Sequence, residues 1–401
     1  MIEFVSGHLF WPREIFLKRI FILSLFFSMA FAQEISIWTS FDGLELDWLK
    51  SQTKLYSDLF KVEVEIENFS IGEINQKMLL SKKDDDIELA DIIVGLSQRE
   101  IPKLNEEDLL ANMQAFTTQE YLDDLSKNAR EAFSIDDKIV GFPLYLEGPA
   151  LIINTDLVEI SPKSFEDIVK ISKDLEQKEI IAFRFDISNL YFAYPFLTAY
   201  GGKLFTNDEL SIETKNFIKG AEFLRDLKFK YKLFSSTSDY QEALENFYYS
   251  KQAMVYDGPW ALKTYQQAKL NMKVIPLPAT KAGLELNGLS SAYGLVLTKS
   301  AEADINSINL AKWLSRTEAQ VALSNMTDKV PSSLKAIDNL DNELIIGFAR
   351  ALSKADIIPT DAKMDSSWGP ISDALFKILV DKNSNIKGIL KQAVQDIIQS
   401  Q

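Results

Sequence analysis

From Glu34 onward the chain reads strand, helix, strand, helix, strand, and that order leaves few folds open. Glu34–Thr39 (EISIWT) and Val62–Ile66 (VEVEI) alternate apolar and polar residues, the period of a half-buried strand. Ala90–Val94 (ADIIV) is short, apolar and β-branched, like a strand covered on both faces. Between them, Leu44–Leu59 and Ile71–Leu80 repeat apolar residues at helical spacing. Parallel neighbours cannot be joined by a hairpin and need a crossover, usually helical, so this order predicts an α/β sheet. The alternation resumes downstream. Lys138–Leu146 and Ala150–Asn154 read as strands on either side of Glu147-Gly148-Pro149, where glycine and proline force an irregular crossing. Helices are predicted at Ser164–Leu175, Leu190–Ala199, Ile212–Lys230 and Tyr240–Tyr249, with strands at Gln252–Tyr256, Met272–Pro276 and Ser290–Leu297. The last hundred residues are mainly helical and close with Pro370–Val380 and Asn385–Ile398. With no internal repeat and no long linker, two α/β lobes joined by several short crossings fit better than two separate beads.

Upstream of the alternation stands a different kind of segment. Lys18-Arg19 precedes Ile20–Ala32, an apolar run interrupted only by Ser24 and Ser28 and ending in Ala30-Phe31-Ala32. A basic start, a short apolar stretch and a small-x-small end form an export signal. The run falls short of the roughly 18 apolar residues a membrane span needs. Cleavage after Ala32 is expected, against the alternative of a retained N-terminal anchor. Residues 1–17 suit neither reading, and a start at Leu17 would place the basic pair directly after the initiator. The chain has no cysteine, so a lipid anchor on a cleavage-site cysteine and structural disulfides are both ruled out. The expectation is a monomer diffusing freely in a periplasm.

The same cut removes His8, the only histidine. Serine–histidine and cysteine–histidine catalysis and the usual zinc sites therefore drop out. Phosphate-cradling glycine loops are absent, since Gly201-Gly202 lacks the spacing, and no cofactor is expected. A formal charge of −15, with no basic run longer than two residues, makes nucleic acid and anionic lipid poor partners. Asp84-Asp85-Asp86 reads as a solvated loop, because it lacks the alternating acids, glycine and distal glutamate of a calcium loop.

One local cluster stands out. Tyr256-Asp257-Gly258-Pro259-Trp260 follows the apolar Gln252–Val255 run, so a tight turn at a strand's carboxyl end would present an indole there. In open α/β sheets that end is where ligands bind. A core tryptophan at a helix start is an equally good local reading. Phe247-Tyr248-Tyr249-Ser250-Lys251-Gln252-Ala253-Met254, followed by Gly258-Pro259-Trp260, resembles the F-x-x-G-K-x-A-M…G-P-W signature of extracellular solute-binding proteins of the maltose-binding family. Ser250 takes the place of its first glycine. Other segments resemble that family in the right order: Ile37-Trp38, Ala90-Asp91-Ile92-Ile93, Gly141-Phe142-Pro143 to Glu147 with Leu151-Ile152-Ile153-Asn154, Pro162–Asp167, and Leu190–Pro195 with Gly201-Gly202.

The resemblance implies a two-lobed, hinged periplasmic-binding-protein fold, each lobe a mixed, mostly parallel sheet flanked by helices. A receptor of that kind would close on a sugar and hand it to the membrane permease of an ABC importer. One lobe would hold residues 34–144 and 290–332, the other 147–288 and 335–401. Carried over by motif match, Trp260, Trp368, Tyr191 and Tyr194 would cover sugar faces. Asp42, Glu147 and Arg99, with Asn189 as a weaker candidate, would hold hydroxyls. Trp368 follows Asp365-Ser366-Ser367 before a helix, where the family has a stacking tryptophan. The chain also departs from the family. Gly95 stands where maltose receptors have a stacking tryptophan, Gln98 where they have an aspartate, and Gly43 replaces a basic residue. Trp38, Trp48 and Met254 read as core, and Arg99 reads equally well as a solvated residue at a helix start. Two other functions stay open: a receptor for a non-sugar solute such as a cation, and an exported glycoside hydrolase with a carboxyl pair roughly 5–10 Å apart.

Overall fold

A computed structural model of the chain describes residues 34–84, 86–234, 239–360 and 362–399. The export segment, its cut after Ala32, His8, Leu17 and Asp85 lie outside them. Strands β1 (Glu34–Thr39), β2 (Glu63–Asn68) and β3 (Ile92–Ser97) are joined by helices α1 (Gly43–Phe60) and α2 (Ile71–Leu80). Then follow β4 (Phe142–Glu147), β5 (Ala150–Asn154), α3 (Phe165–Glu176), β6 (Ile181–Arg184), α4 (Leu190–Thr198), α5 (Lys215–Phe229), α6 (Tyr240–Tyr248), β7 (Gln252–Asp257), β8 (Met272–Ile275) and β9 (Leu289–Leu297). The chain ends with α7 (Ile305–Ser315), α8 (Thr317–Thr327), β10 (Val330–Pro331), α9 (Glu343–Leu352), β11 (Asp356–Ile357), α10 (Ala362–Val380) and α11 (Ile386–Gln399).

Two sheets organise these elements. The first runs β10-β4-β9-β3-β1-β2, with β11 paired to β9. Pairing is parallel for β1 with β2 and β3, and antiparallel where β9 returns between β3 and β4. The second sheet runs β8-β5-β7-β6, and only β6 and β7 are parallel. Both sheets are thus mixed, with less parallel pairing than the strand–helix alternation suggests, because the connections between sheets bring strands back in the opposite sense. β2 closes one edge, and its Glu63, Glu65 and Glu67 blunt that edge against pairing with another chain.

Each sheet carries its own apolar cluster. Ile35, Ile37, Ile92 and Val94 anchor the first, together with the fully buried Trp48 of α1. In β5 the two-residue period splits the strand: Leu151 and Ile153 enter the second cluster, while Ile152 faces the first. Trp38, Trp48 and Met254 are all buried, as core residues. Side-chain caps fix two helix starts. Ser70 with Glu73 and Ser164 with Asp167 form reciprocal capping boxes, each worth about 1 kcal/mol.

Boundaries moved where a local contact outweighed periodicity. The predicted strand over 138–146 breaks at Gly141, whose added Cβ would lie 2.7 Å from the Leu295 carbonyl. The helix expected from Ile212 starts only at Lys215, because Thr214 caps it by accepting from the Phe217 N–H. The helix expected from Pro370 begins at Ala362 and takes Pro370 into its interior. Trp368 therefore lies within a helix, not before one.

Three segments pass between the sheets: Glu147 to Ala150, the residues leading into β9, and the stretch around β11. They lie against one another. The Asp356 N–H donates to the Gly288 carbonyl at 2.9 Å and the Ile358 N–H to the Ser290 carbonyl at 2.9 Å. A Cβ on Gly148 would come within 2.5 Å of Leu352 and 2.6 Å of the Leu289 carbonyl, so only glycine fits this crossing. Buried Asn128 ties them further, donating to Ser290 Oγ, the Leu352 carbonyl and the Ala355 carbonyl. The fold is two-lobed, with its crossings gathered at one place.

Candidate binding site

The aromatic side of the site grows from the end of β7. Gly258 and Pro259 turn the chain into one turn of 3-10 helix, and the Trp260 indole folds back across Gly258. A Cβ on Gly258 would lie 2.2 Å from that ring, so the glycine is needed for the indole to lie there. Trp260 is 39% exposed, and its Nε1 donates to the Tyr240 hydroxyl at 3.1 Å. Tyr191, on the first turn of α4, lies between two tryptophans: its ring centroid is 6.1 Å from that of Trp260 and 6.4 Å from that of Trp368 on α10. Trp260, Tyr191 and Trp368 thus form one continuous aromatic surface, three of the four aromatic candidates. Tyr194 does not join it. Three residues further along α4, it is buried, and its hydroxyl donates to Asp356 Oδ2 at 2.8 Å, beside a separate cavity of about 400 Å³ lined by Thr198, Gly201, Lys203 and Glu285.

Beneath Trp260 sits Asp257, which the sequence reading passed over. It is 1% exposed, accepts from the Tyr265 hydroxyl at 2.7 Å and the Gly258 N–H at 2.8 Å, and also bonds Tyr240 and Trp260. Burial pushes its carboxyl up to about 6 despite these donors. Its signal was present in the sequence, as the acid inside Tyr256-Asp257-Gly258-Pro259-Trp260.

The polar side is built from the first sheet. Glu147, the last residue of β4, forms an ion pair with Lys329, which also reaches Glu45 of α1 at 3.1 Å. The Lys329 ammonium lies 5.0 Å from the Tyr145 ring centroid, and Tyr145 donates its hydroxyl to Glu45 at 3.4 Å. Burial would lower the lysine's basicity, but Glu147 and Glu45 together hold it above the ordinary value. Burial and the charge of Glu147 push the Tyr191 phenol well above its usual range, which places the aromatic surface within electrostatic reach of Glu147. Arg99, in the turn after β3, forms an ion pair with Asp365 of α10. This pair joins the first sheet's side of the molecule to the helix that carries Trp368.

Two candidates remain, Asp42 and Asn189. Asp42 is exposed at the N-cap of α1 and makes no side-chain cap bond. Asn189 caps α4 by accepting from the Tyr191 N–H at 3.0 Å, which accounts for it as a helix start and as an orienter of Tyr191. Lys329, Glu45 and Tyr145 had no sequence signal, because they meet only through sheet pairing and the packing of α1.

The departures have structural causes. Gly95 is a bulge residue: β9 pairs Gly294 with Leu96 and Leu295 with Val94, leaving Gly95 unpaired at φ +93°. A Cβ there would lie 2.5 Å from Ser40 Oγ, so no tryptophan fits without moving the chain. Gln98 is fully buried and grips Ala292 twice: its N–H donates to that carbonyl at 3.1 Å and its Oε1 accepts from that N–H at 2.9 Å. Ser250, in place of the signature's glycine, adopts the left-handed region at φ +56°. Glycine favours that conformation. Among the described residues, no group of three or more Asp, Glu, His or Cys is placed to hold a metal ion, and no helix is long and apolar enough to cross a membrane.

Comparison with known proteins accords with this architecture. The chain is 26% identical over 317 residues to the maltotriose-binding protein of Pyrococcus abyssi, covering 75% of this chain and 68% of that one. It is 26% identical over 274 residues to the maltodextrin-binding protein of Bacillus subtilis, covering 63% and 64%. Among solved structures, the Thermus thermophilus maltotriose-binding protein bound with maltotriose superposes with a TM-score of 0.72 at 27% identity, covering 91% of this chain and 99% of that one. A cyclo/maltodextrin-binding protein complexed with maltotetraose reaches 0.82 at 20% identity, covering 93% and 98%, a likeness of fold. Residues 52–344 match the family described as bacterial extracellular solute-binding protein, and the chain belongs to that family.

Proposed function

We propose that the protein is the carbohydrate receptor of an ABC importer, capturing a maltooligosaccharide between its lobes and delivering it to the membrane permease. One observation carries the ligand class: the continuous Trp260–Tyr191–Trp368 surface, within electrostatic reach of Glu147 in the Glu147–Lys329–Glu45 cluster. A pyranose has an apolar C–H face and a rim of hydroxyls. Aromatic rings suit the first, at roughly 0.5–1.5 kcal/mol each beyond area burial, and charged hydrogen-bond partners suit the second. The relatives support the same class, being named for maltotriose, maltodextrin and, in Streptococcus pneumoniae, a maltooligosaccharide ABC transporter.

In this reading residues 34–144 and 290–332 form one lobe and 147–288 and 335–401 the other, and the sugar lies between them. Arg99 and Asp365 then close the cleft from opposite sides. Glu147, at the first crossing, takes a hydroxyl while Lys329 neutralises it. Asp42 stands at the cleft rim. The protein works as a monomer, in the periplasm, after cleavage past Ala32.

The test is a titration of the purified mature protein with maltose, maltotriose and maltotetraose, followed by tryptophan fluorescence. Saturable binding without turnover is expected. Release of shorter sugars would make it a hydrolase instead. Silence toward all sugars with a response to a cationic solute would reassign the ligand.

A further inference from the structure

We propose that Tyr293 is a further ligand-contacting residue that sets which sugar lengths bind, supplying on the first sheet's side the aromatic surface that Gly95 cannot carry. The inference rests on the carbohydrate reading above. Tyr293 lies near the middle of β9 and is half-buried, while its strand neighbours Ala292 and Gly294 are buried. Its ring stacks on Tyr145 across the strand pair, with centroids 5.0 Å apart and planes 16° from parallel. One face of the phenol is therefore covered by Tyr145, while the residue as a whole keeps part of its surface open.

What surrounds it is the site already described. Burial, Glu147 and Glu100 raise the Tyr293 phenol, while Lys329 and Arg99 oppose them, and the net result is about 12. These are the groups that face it from β4, from the turn after β3 and from the segment before β10. The helix that carries Tyr191, α4, packs against β9, and both Glu147 and Tyr293 act electrostatically on the Tyr191 phenol. No hydrogen bond of the Tyr293 hydroxyl is found among the described residues. The polar end of this ring thus lacks a protein partner within electrostatic reach of Glu147 and Lys329.

Two features hold the ring in place. Gln98 fixes Ala292 through both its backbone and its side chain, one residue before Tyr293. On the other side both neighbouring strands slip by one residue at Gly294: β3 leaves out Gly95 and β4 leaves out Leu144. A bulge re-aims the side chains beside it. The irregularity that demands glycine at position 95 therefore also flanks Tyr293. A lost stacking surface and a gained one come from the same local distortion.

The test uses the mature protein, Tyr293→Ala and Tyr293→Phe, each titrated with maltose, maltotriose and maltotetraose, with melting measured without sugar. Tyr293→Ala should weaken at least one sugar by tenfold or more, about 1.4 kcal/mol, and change the ratio of affinities among the three. Tyr293→Phe, which keeps the ring, should restore most of that loss. A uniform loss across all three sugars that follows a lower melting temperature would mean that the ring is structural, and the proposal would fail. Unchanged affinities in Tyr293→Ala would overturn it equally. If the unaltered protein binds none of the three, the carbohydrate reading itself has failed.

Discussion

Asp257 supports the indole of Trp260 on a carboxylate that has lost almost all contact with water, and that arrangement has a measurable consequence. An unfolded aspartate titrates near 3.9, whereas burial pushes this one up to about 6 in the fold. Between those values the folded protein holds a proton that the unfolded chain has released. Stability from this group is therefore fully present below about pH 4 and is lost as pH rises through 6. The displacement is roughly two pH units, and at 1.36 kcal/mol each the loss is about 3 kcal/mol. Asp257→Asn cannot ionise, so its stability should not carry this decline. The substitution has a fixed cost as well, because an amide offers one acceptor where Tyr265 and Gly258 now use two carboxylate oxygens. That cost is the same at both ends of the range and cancels when the pH dependence is compared. Urea unfolding of both proteins at pH 4 and pH 7 gives the comparison. The variant should gain about 2–3 kcal/mol relative to the parent on going from pH 4 to pH 7. Parallel stability curves would show that the carboxylate is solvated or proton-free in the fold, and the account of a dry support beneath Trp260 would be wrong.

Trp260→Ala should weaken maltotriose binding at least tenfold, about 1.4 kcal/mol, by isothermal titration. Melting without sugar should stay nearly unchanged, since the indole is 39% exposed; a collapse in melting would make it a core residue. Lys329→Met leaves Glu147 and Glu45 facing each other without their shared cation. It should cost about 2 kcal/mol at pH 7, less than a fully buried pair would. In the parent, the raised basicity of Lys329 adds stability that is lost only as pH climbs above the ordinary lysine range. Chemical denaturation across pH checks the cost and the sign. Gly95→Ala should cost about 2 kcal/mol, combining left-handed backbone strain with the approach to Ser40 Oγ, and a neutral result would mean the bulge can relax.

The order of elements was legible because helix and strand periods differ and each was sustained over several residues. Boundaries were less so. The start of α10 depends on how Pro370 is accommodated inside a helix, and that is decided by packing onto the second cluster, not by local preference. Strand β6 was passed over for want of length: Ile181–Arg184 is four residues, and its partner β7 lies some seventy residues on. Among the candidate site residues, Trp260, Tyr191 and Trp368 were legible because their motifs survive in the sequence. Lys329, Tyr145 and Tyr293 were not. Each is unremarkable beside its sequence neighbours, and each acquires its surroundings only when β9 inserts between β3 and β4.

That insertion also bears on how closure could be felt at the crossings. β9 carries Tyr293 at its middle and begins at Leu289, where Gly288, Gly148 and Asn128 hold the crossing segments together. Four residues of one strand therefore separate Tyr293 from the crossings between the sheets. At roughly 3.3 Å per residue in an extended strand, that is about 13 Å of hydrogen-bonded backbone, short enough to move as a unit. Asp356 stands at the same crossing, receives Tyr194 from the helix whose first turn carries Tyr191, and pairs through its strand with Leu289. The elements that carry Tyr191 and Tyr293 thus both meet Asp356 at the crossing. Tyr194, which the aromatic surface leaves out, ties α4 to that crossing through Asp356.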